Sequence, residues 1–327
     1  MKKILSELFK GKSLSKEEAE KVMLNISEGK VNAAQTAAFL TVYLMRAMTA
    51  DEFLGFREAL LQLCLPVDLG TRQTIDIVGT GGDGKNTFNI STVSCFVVAG
   101  AGFKVTKHGN YASSSVTGSS NVLEYLGYRF TNDTAVLKNQ LYKNNLTFLH
   151  APLFHPALKS VAPIRKELGL RTIFNLLGPV VNPAKPKYQL LGVYSYEIGQ
   201  LYAELLQKAD VKHTIVHSAD GYDEISLTDE FIIFSNGKKN IVKPEEINFK
   251  KINPDELSGG KSVADAAKIF VNILLNKATN AQKEVVMVNS AYAISTISGK
   301  SIDESLAMAK ESLESGKAYT IFKNLVR

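Results

Sequence analysis

Thr74-Ile75-Asp76-Ile77-Val78 is a β-branched run that empties into Gly79-Thr80-Gly81-Gly82-Asp83; Ser91 then opens an apolar helix-like segment before the next run, Phe103-Lys104-Val105-Thr106. Strand, glycine loop, helix, strand is the pattern of a βαβ unit, whose strands run parallel. Working outward, 118–126 reads as helix and 147–150, 188–193, 213–217 and 231–234 read as strands. Stretches of helical periodicity such as 197–209 and 283–296 separate them. The predicted class is α/β, with a mostly parallel sheet flanked by helices over 71–327.

The first 66 residues follow a different pattern. Ser15, Asn32 and Thr49 each stand three positions before Glu18, Gln35 and Glu52, the spacing at which a side chain caps the first turn of a helix. Apolar residues follow each signal at helical intervals, which predicts a small N-terminal helical domain over 1–66. The stretch at about 157–186 carries Pro163, Gly169, Gly178, Pro179 and Pro183 among helical fragments without a strand. It is expected to rejoin that domain.

Composition narrows the function by exclusion. The 327 residues contain 38 Lys and Arg against 32 Asp and Glu, a net charge of +6, with 45% apolar residues. That is the make-up of a water-soluble globular chain, and its apolar runs fall short of the roughly 20 residues that span a bilayer. The start, MKKILSELFKGKS, has no signal-peptide core, so a cytoplasmic location and no membrane partner are expected. Basic residues are scattered and lack interleaved aromatics, so no nucleic-acid partner is expected. Two cysteines, Cys64 and Cys95, cannot build a disulfide framework or a four-ligand zinc site.

The chemistry-bearing residues cluster at the ends of the predicted strands. Glycines 79, 81, 82 and 84 let a backbone come close to a ligand and turn its N–H groups toward phosphate oxygens. A ligand-free tight turn would use the same residues. The loop nearly spells a phosphate-binding G-x-x-x-x-G-K motif, but Asn86 replaces the Ser or Thr that would hold magnesium. Asn89-Ile90-Ser91-Thr92 suits either a second phosphate or simple capping of the helix. Lys107-His108-Gly109-Asn110, followed by Ser113-Ser114-Ser115 and Thr117-Gly118-Ser119, adds a cation and hydroxyls at a second strand end. Two such surfaces imply a ligand with more than one phosphate group. Asp223-Glu224 suits Mg²⁺, a hard cation that also bridges substrate phosphates; a solvated acidic pair is the alternative. Arg165 fits a carboxylate clamp or an ordinary surface arginine.

These motifs, together with Arg171-Thr-Ile-Phe-Asn-Leu-Leu-Gly-Pro179 and Asn182-Pro183, resemble in order and spacing the anthranilate phosphoribosyltransferases of tryptophan biosynthesis. The resemblance covers almost the whole chain. It implies a homodimer formed through the helical domain and transfer of phosphoribosyl from phosphoribosyl pyrophosphate to the amine of anthranilate. It assigns Gly79, Gly82, Asp83, Thr87, Asn89, Ile90, Ser91, Thr92, Lys107, Ser115 and Ser119 to the phosphoribosyl donor. Ser91, Asp223 and Glu224 go to Mg²⁺, and Gly79, Asn110 and Arg165 to anthranilate. No firm catalytic residue emerges; His108 stands as a pocket-lining or proton-transfer candidate. The chain departs from the family pattern at Tyr111, Val116 and Asn121, where Arg, Lys and Asp are usual. Two positive charges near the phosphates are thereby lost, with Lys85, Lys107 and Mg²⁺ left to compensate. The rival readings are a pyrimidine-nucleoside phosphorylase of the same broad fold, normally a longer chain, and a catalytically idle relative that binds nucleic acid.

Overall fold

The computed structural model describes residues 1–111 and 117–326. Seven strands form one sheet in the spatial order β3-β2-β1-β4-β5-β6-β7: β1 Ile75–Gly79, β2 Val105–Gly109, β3 Leu146–His150, β4 Tyr188–Gly192, β5 Lys212–Ser218, β6 Phe231–Ser235 and β7 Lys238–Val242. The first five are parallel; β6 and β7 add antiparallel at one edge. Chain order runs one way from β1 through β2 to β3 and then returns to β4 on the other side of β1. The connections leaving β1 and β4 therefore diverge, and in an open α/β sheet that divergence opens a crevice beyond the strand ends.

The sheet belongs to a unit comprising Val67–His150 and Ala184–Arg327. The helix Ile90–Gly100 is almost wholly buried, as its run of Val, Phe, Cys and Ala demands. Phe96 sits at its centre, 5.6–5.8 Å from the rings of Phe148, Phe270 and Phe322, two of them edge-on. The helix Asn280–Ser298 packs beside it and supplies Val285, Val286, Val288 and Ile294 to the same core.

A second unit comprises Met1–Pro66 and Ala151–Pro183. Its helices Lys16–Ser27, Ala33–Met45 and Ala50–Leu63 begin at caps where Ser15, Asn32 and Thr49 side chains accept the N–H groups of Glu18, Gln35 and Glu52. Phe39, Tyr43 and Phe56 form an edge-on aromatic triangle inside it. The later segment is tied in by Arg57 Nε donating to the Val180 carbonyl at 3.0 Å and Ser160 Oγ donating to the Ser27 carbonyl at 2.8 Å. The architecture is a small helical domain and a larger α/β domain with a mostly parallel sheet. No helix among the described residues is long and apolar enough to cross a membrane.

Candidate active site at the ends of β1 and β4

Gly79 ends β1, Gly192 ends β4, and the two are register partners across the sheet. Both lack a side chain for one reason: Asp223 occupies the space above them. A Cβ on Gly79 would lie 2.3 Å from Asp223 Oδ2, and one on Gly192 would lie 1.6 Å from the Asp223 carbonyl oxygen. The loop after β5 thus lays its acidic pair over the point where the strand order reverses. Gly192 was not singled out from the sequence; the available signal was a glycine at a strand end, which marks close backbone approach.

The loop after β1 turns through positive φ at Gly81, Gly82 and Gly84. Its Gly81 N–H donates to Asp223 Oδ2 at 2.6 Å, and the Lys85 N–H donates to Asp83 Oδ1 at 2.9 Å. Asp83 Oδ2 is buried and has no hydrogen-bond partner among the described residues. Beyond the turn, Thr87 bridges Ser258 and the Phe88 N–H donates to the Leu257 carbonyl, which fixes the exit of the loop. Lys85 Nζ lies 4.6 Å from the centre of the Tyr222 ring, next to the acidic pair.

At the start of the helix Ile90–Gly100 the backbone donors are already engaged. Ile90 N–H donates to the Phe88 carbonyl, Thr92 N–H to the Asn89 carbonyl, and Ser91 N–H to Glu224 Oε1 at 3.3 Å. The side chains of Ile90 and Thr92 are buried, whereas Asn89 and Ser91 are half-exposed. Asn89 Nδ2 donates to the Thr117 carbonyl at 3.4 Å.

Lys107 lies elsewhere than at an open strand end. It is inside β2, only 3% exposed, with Nζ donating to the Ile77 carbonyl at 2.6 Å and to Ser91 Oγ at 3.4 Å. The strand runs Val105–Gly109, ending three residues beyond the Thr106 that the sequence pattern suggested, and this carries Lys107 and His108 into the sheet. His108 is buried, and its N–H donates to Asp76 Oδ1 at 3.2 Å. Asn110 follows β2 and its carbonyl accepts from Ser119 Oγ and from the Ser120 N–H. Ser115 and Val116 fall outside the described residues. Arg165 belongs to the other unit, in the helix Ala162–Leu168; it is half-buried, with its guanidinium 5.4 Å from the centre of the Phe174 ring. Burial lowers its pKa.

The electrostatics of the acidic pair are those of an incomplete site. Burial, then the neighbouring charges of Glu224 and Asp83, push the Asp223 carboxyl well above the ordinary carboxylate range. Burial also raises Glu224, against the opposing pull of the Lys107 ammonium and the Ser91 N–H. Asp83, Asp223 and Glu224 therefore crowd negative charge that a cation would relieve. Among the described residues no three His, Cys, Asp or Glu side chains are gathered to hold a metal by themselves. That donor set fits Mg²⁺, which takes one or two carboxylates and completes its shell with water and substrate phosphate oxygens.

Comparison with known proteins divides the chain between residues 64 and 71, and its α/β part also takes in Ala151–Pro183 of the helical unit. The description "Glycosyl transferase family, a/b domain" matches residues 71–319, and "Glycosyl transferase family, helical bundle domain" matches 2–64. The chain is 57% identical to the anthranilate phosphoribosyltransferase of Cytophaga hutchinsonii over the full length of both. It is similar to the crystal structure of that enzyme from Thermus thermophilus (TM-score 0.93, 34% identity, 98% of each chain). It is also similar to the Saccharomyces cerevisiae enzyme in complex with PRPP and Mg (TM-score 0.91, 27% identity, 98% of this chain and 95% of that one).

Proposed function

Since the chain belongs to the anthranilate phosphoribosyltransferase family, we propose that it transfers the phosphoribosyl group of phosphoribosyl pyrophosphate to the amine of anthranilate, releasing pyrophosphate, as a step of tryptophan biosynthesis. The observation that carries this reading is the acidic pair seated over Gly79 and Gly192 beside a glycine loop at the reversal of strand order. In the reaction the bond from the anomeric carbon to pyrophosphate oxygen breaks, the bond to anthranilate nitrogen forms, and the amine gives up one proton.

Asp223, Glu224 and Ser91 would hold Mg²⁺, which when bound neutralises charge on the departing pyrophosphate. The chain's own part is binding and orientation. The glycine loop, Asp83, Thr87, Asn89, Ser91 and Ser119 receive the donor, with Ser115 assigned by family pattern. Ile90 and Thr92, being buried, act by shaping the helix start. Lys107 contributes its charge from beneath, through Ser91. An aromatic amine is already nucleophilic, so alignment of the acceptor by Asn110 and Arg165 supplies more than a strong base would. His108, buried within β2, is not assigned a proton-transfer role.

The enzyme is further proposed to work in the cytoplasm as a homodimer through its helical unit. Phe9, Leu44 and Met45 are 66%, 43% and 83% exposed there, which supports an apolar contact surface. Loss of anthranilate fluorescence that requires both the donor and Mg²⁺ tests the activity; consumption of nucleoside with inorganic phosphate in its place would overturn it. Arg165→Ala should raise KM for anthranilate by about tenfold or more while leaving KM for the donor within about twofold, and equal changes in both would remove the assigned role.

A further inference from the structure

The acidic loop has to hold two adjacent carboxylates in place before any cation arrives, against their mutual repulsion. The Lys107 ammonium counters part of this charge, and neutral hydrogen bonds to the backbone hold the loop itself in place. Asn289, 1% exposed on the helix Asn280–Ser298, grips the residue that follows the pair from both sides: the Ile225 N–H donates to its Oδ1 at 3.1 Å, and its Nδ2 donates to the Ile225 carbonyl at 2.8 Å. A further bond from Nδ2 to the Val285 carbonyl at 2.8 Å anchors the amide to its own helix. From the opposite direction Ser218, the last residue of β5, donates its Oγ–H to the Glu224 carbonyl at 2.7 Å and accepts the Ser226 N–H at 3.2 Å. The backbone of 224–226 is thus pinned between a helix and a strand end, and both anchors are uncharged.

We infer that Asn289 is a positioning residue for divalent-cation binding: its side-chain amide, with Ser218 opposite, keeps Asp223 and Glu224 together so that they act as one oxygen-donor site. The inference rests on the reading that this pair holds Mg²⁺. A side chain that fixes the backbone of a metal-binding loop acts on cation affinity, because spreading the carboxylates costs a bound ion its donors. Its hydrogen bonds go to Ile225 and Val285 and to none of the residues assigned to anthranilate, so Asn289→Ala is expected to leave anthranilate binding unchanged.

The test titrates Mn²⁺, as a spectroscopic probe of the metal site, onto the full-length protein with donor but no acceptor, following bound metal by electron paramagnetic resonance against a protein-free control. Asn289→Ala should weaken Mn²⁺ binding by about tenfold or more. In turnover the same variant should need correspondingly more Mg²⁺, recover its kcat when Mg²⁺ is saturating, and keep its KM for anthranilate. A kcat deficit that excess Mg²⁺ does not restore, or unchanged Mn²⁺ binding, overturns the role. Ser218→Ala, which releases the loop from the other side, should weaken Mn²⁺ binding in the same direction and stands in if Asn289→Ala melts below the assay temperature. Asp223→Asn with Glu224→Gln separates the two readings. If that pair abolishes Mn²⁺ binding while Asn289→Ala and Ser218→Ala leave it intact, the clamp alone fails; if the pair also leaves binding intact, the metal assignment fails with it.

Discussion

Two acidic sites, one buried in the helical unit and one partly buried in the α/β unit, have opposite fates. Glu52 in the helical unit is 0% exposed, and its two oxygens accept from the Leu14 N–H, the Tyr43 hydroxyl, both terminal nitrogens of Arg46, and the N–H and hydroxyl of Thr49. Burial pushes its pKa up, yet Arg46 and the two backbone donors outweigh that and hold it below the ordinary glutamate value. Asp223 and Glu224 in the α/β unit are raised instead. An acid whose lone pairs are filled by its own chain is architecture, whereas one kept short of donors is prepared for something that arrives from solution.

The largest effect should come from breaking the filled site. Glu52→Ala leaves the Arg46 guanidinium and the Leu14 N–H without their acceptor and should cost about 3–5 kcal/mol, read by urea unfolding. A carboxyl with a lowered folded pKa contributes stability above its ordinary range that is lost as pH falls through it. Glu52→Gln should therefore flatten the acid limb of the stability profile, and an unchanged limb would mean Glu52 is not the group responsible.

Opening the unfilled site should reverse the sign. Asp223→Asn with Glu224→Gln removes a crowded acidic pair whose ionisation burial disfavours, so the metal-free protein should gain about 0.5–2 kcal/mol while activity falls by about 100-fold or more. Simultaneous loss of stability and activity would place this pair with Glu52 as architecture. Gly192→Ala probes the same site through shape alone. Its new Cβ would overlap the Asp223 carbonyl, so the loop must shift, with an expected cost of about 1–3 kcal/mol and a rise in the Mg²⁺ needed for turnover.

How visible each site was beforehand depended on how local its causes are. The β1 strand, its glycine loop and the following helix lie within about thirty residues, so their order declared a parallel sheet. Asp223-Glu224 was visible as an adjacent pair, and Thr49 with Glu52 as a capping box. The β7 strand escaped notice because Lys238–Val242 is a charged, exposed edge strand without apolar alternation, the pattern that protects edges from pairing. The roles of Gly192 and Asn289 arise only when β4 and the helix Asn280–Ser298 approach a loop distant in sequence. Neither residue type in its local context points to that meeting. Lys107 shows the finer limit: a strand that ends at Gly109 and not at Thr106 moved a cation from the rim into the sheet.

A third acidic site completes the series and sets its smallest effect. Glu124 is exposed, and its Oε1 accepts from the Tyr111 hydroxyl at 3.0 Å. Tyr111 stands where the family pattern carries an arginine; its ring meets His150 edge-on at 4.7 Å, and its N–H donates to Asn110 Oδ1 at 2.8 Å. A solvent-facing bond of this kind contributes little, so Tyr111→Phe should change stability by less than about 0.5 kcal/mol. Tyr111→Arg restores the charge that the family pattern implies beside the proposed donor site and should lower KM for the donor about two- to fivefold at low salt, with the gain shrinking as ionic strength rises. Glu124 would compete for the new guanidinium, so adding Glu124→Gln should enlarge the gain. If the double variant gains no more than Tyr111→Arg alone, the exposed acid exerts no hold at all, and the contrast with Glu52 is sharper than one hydrogen bond suggests.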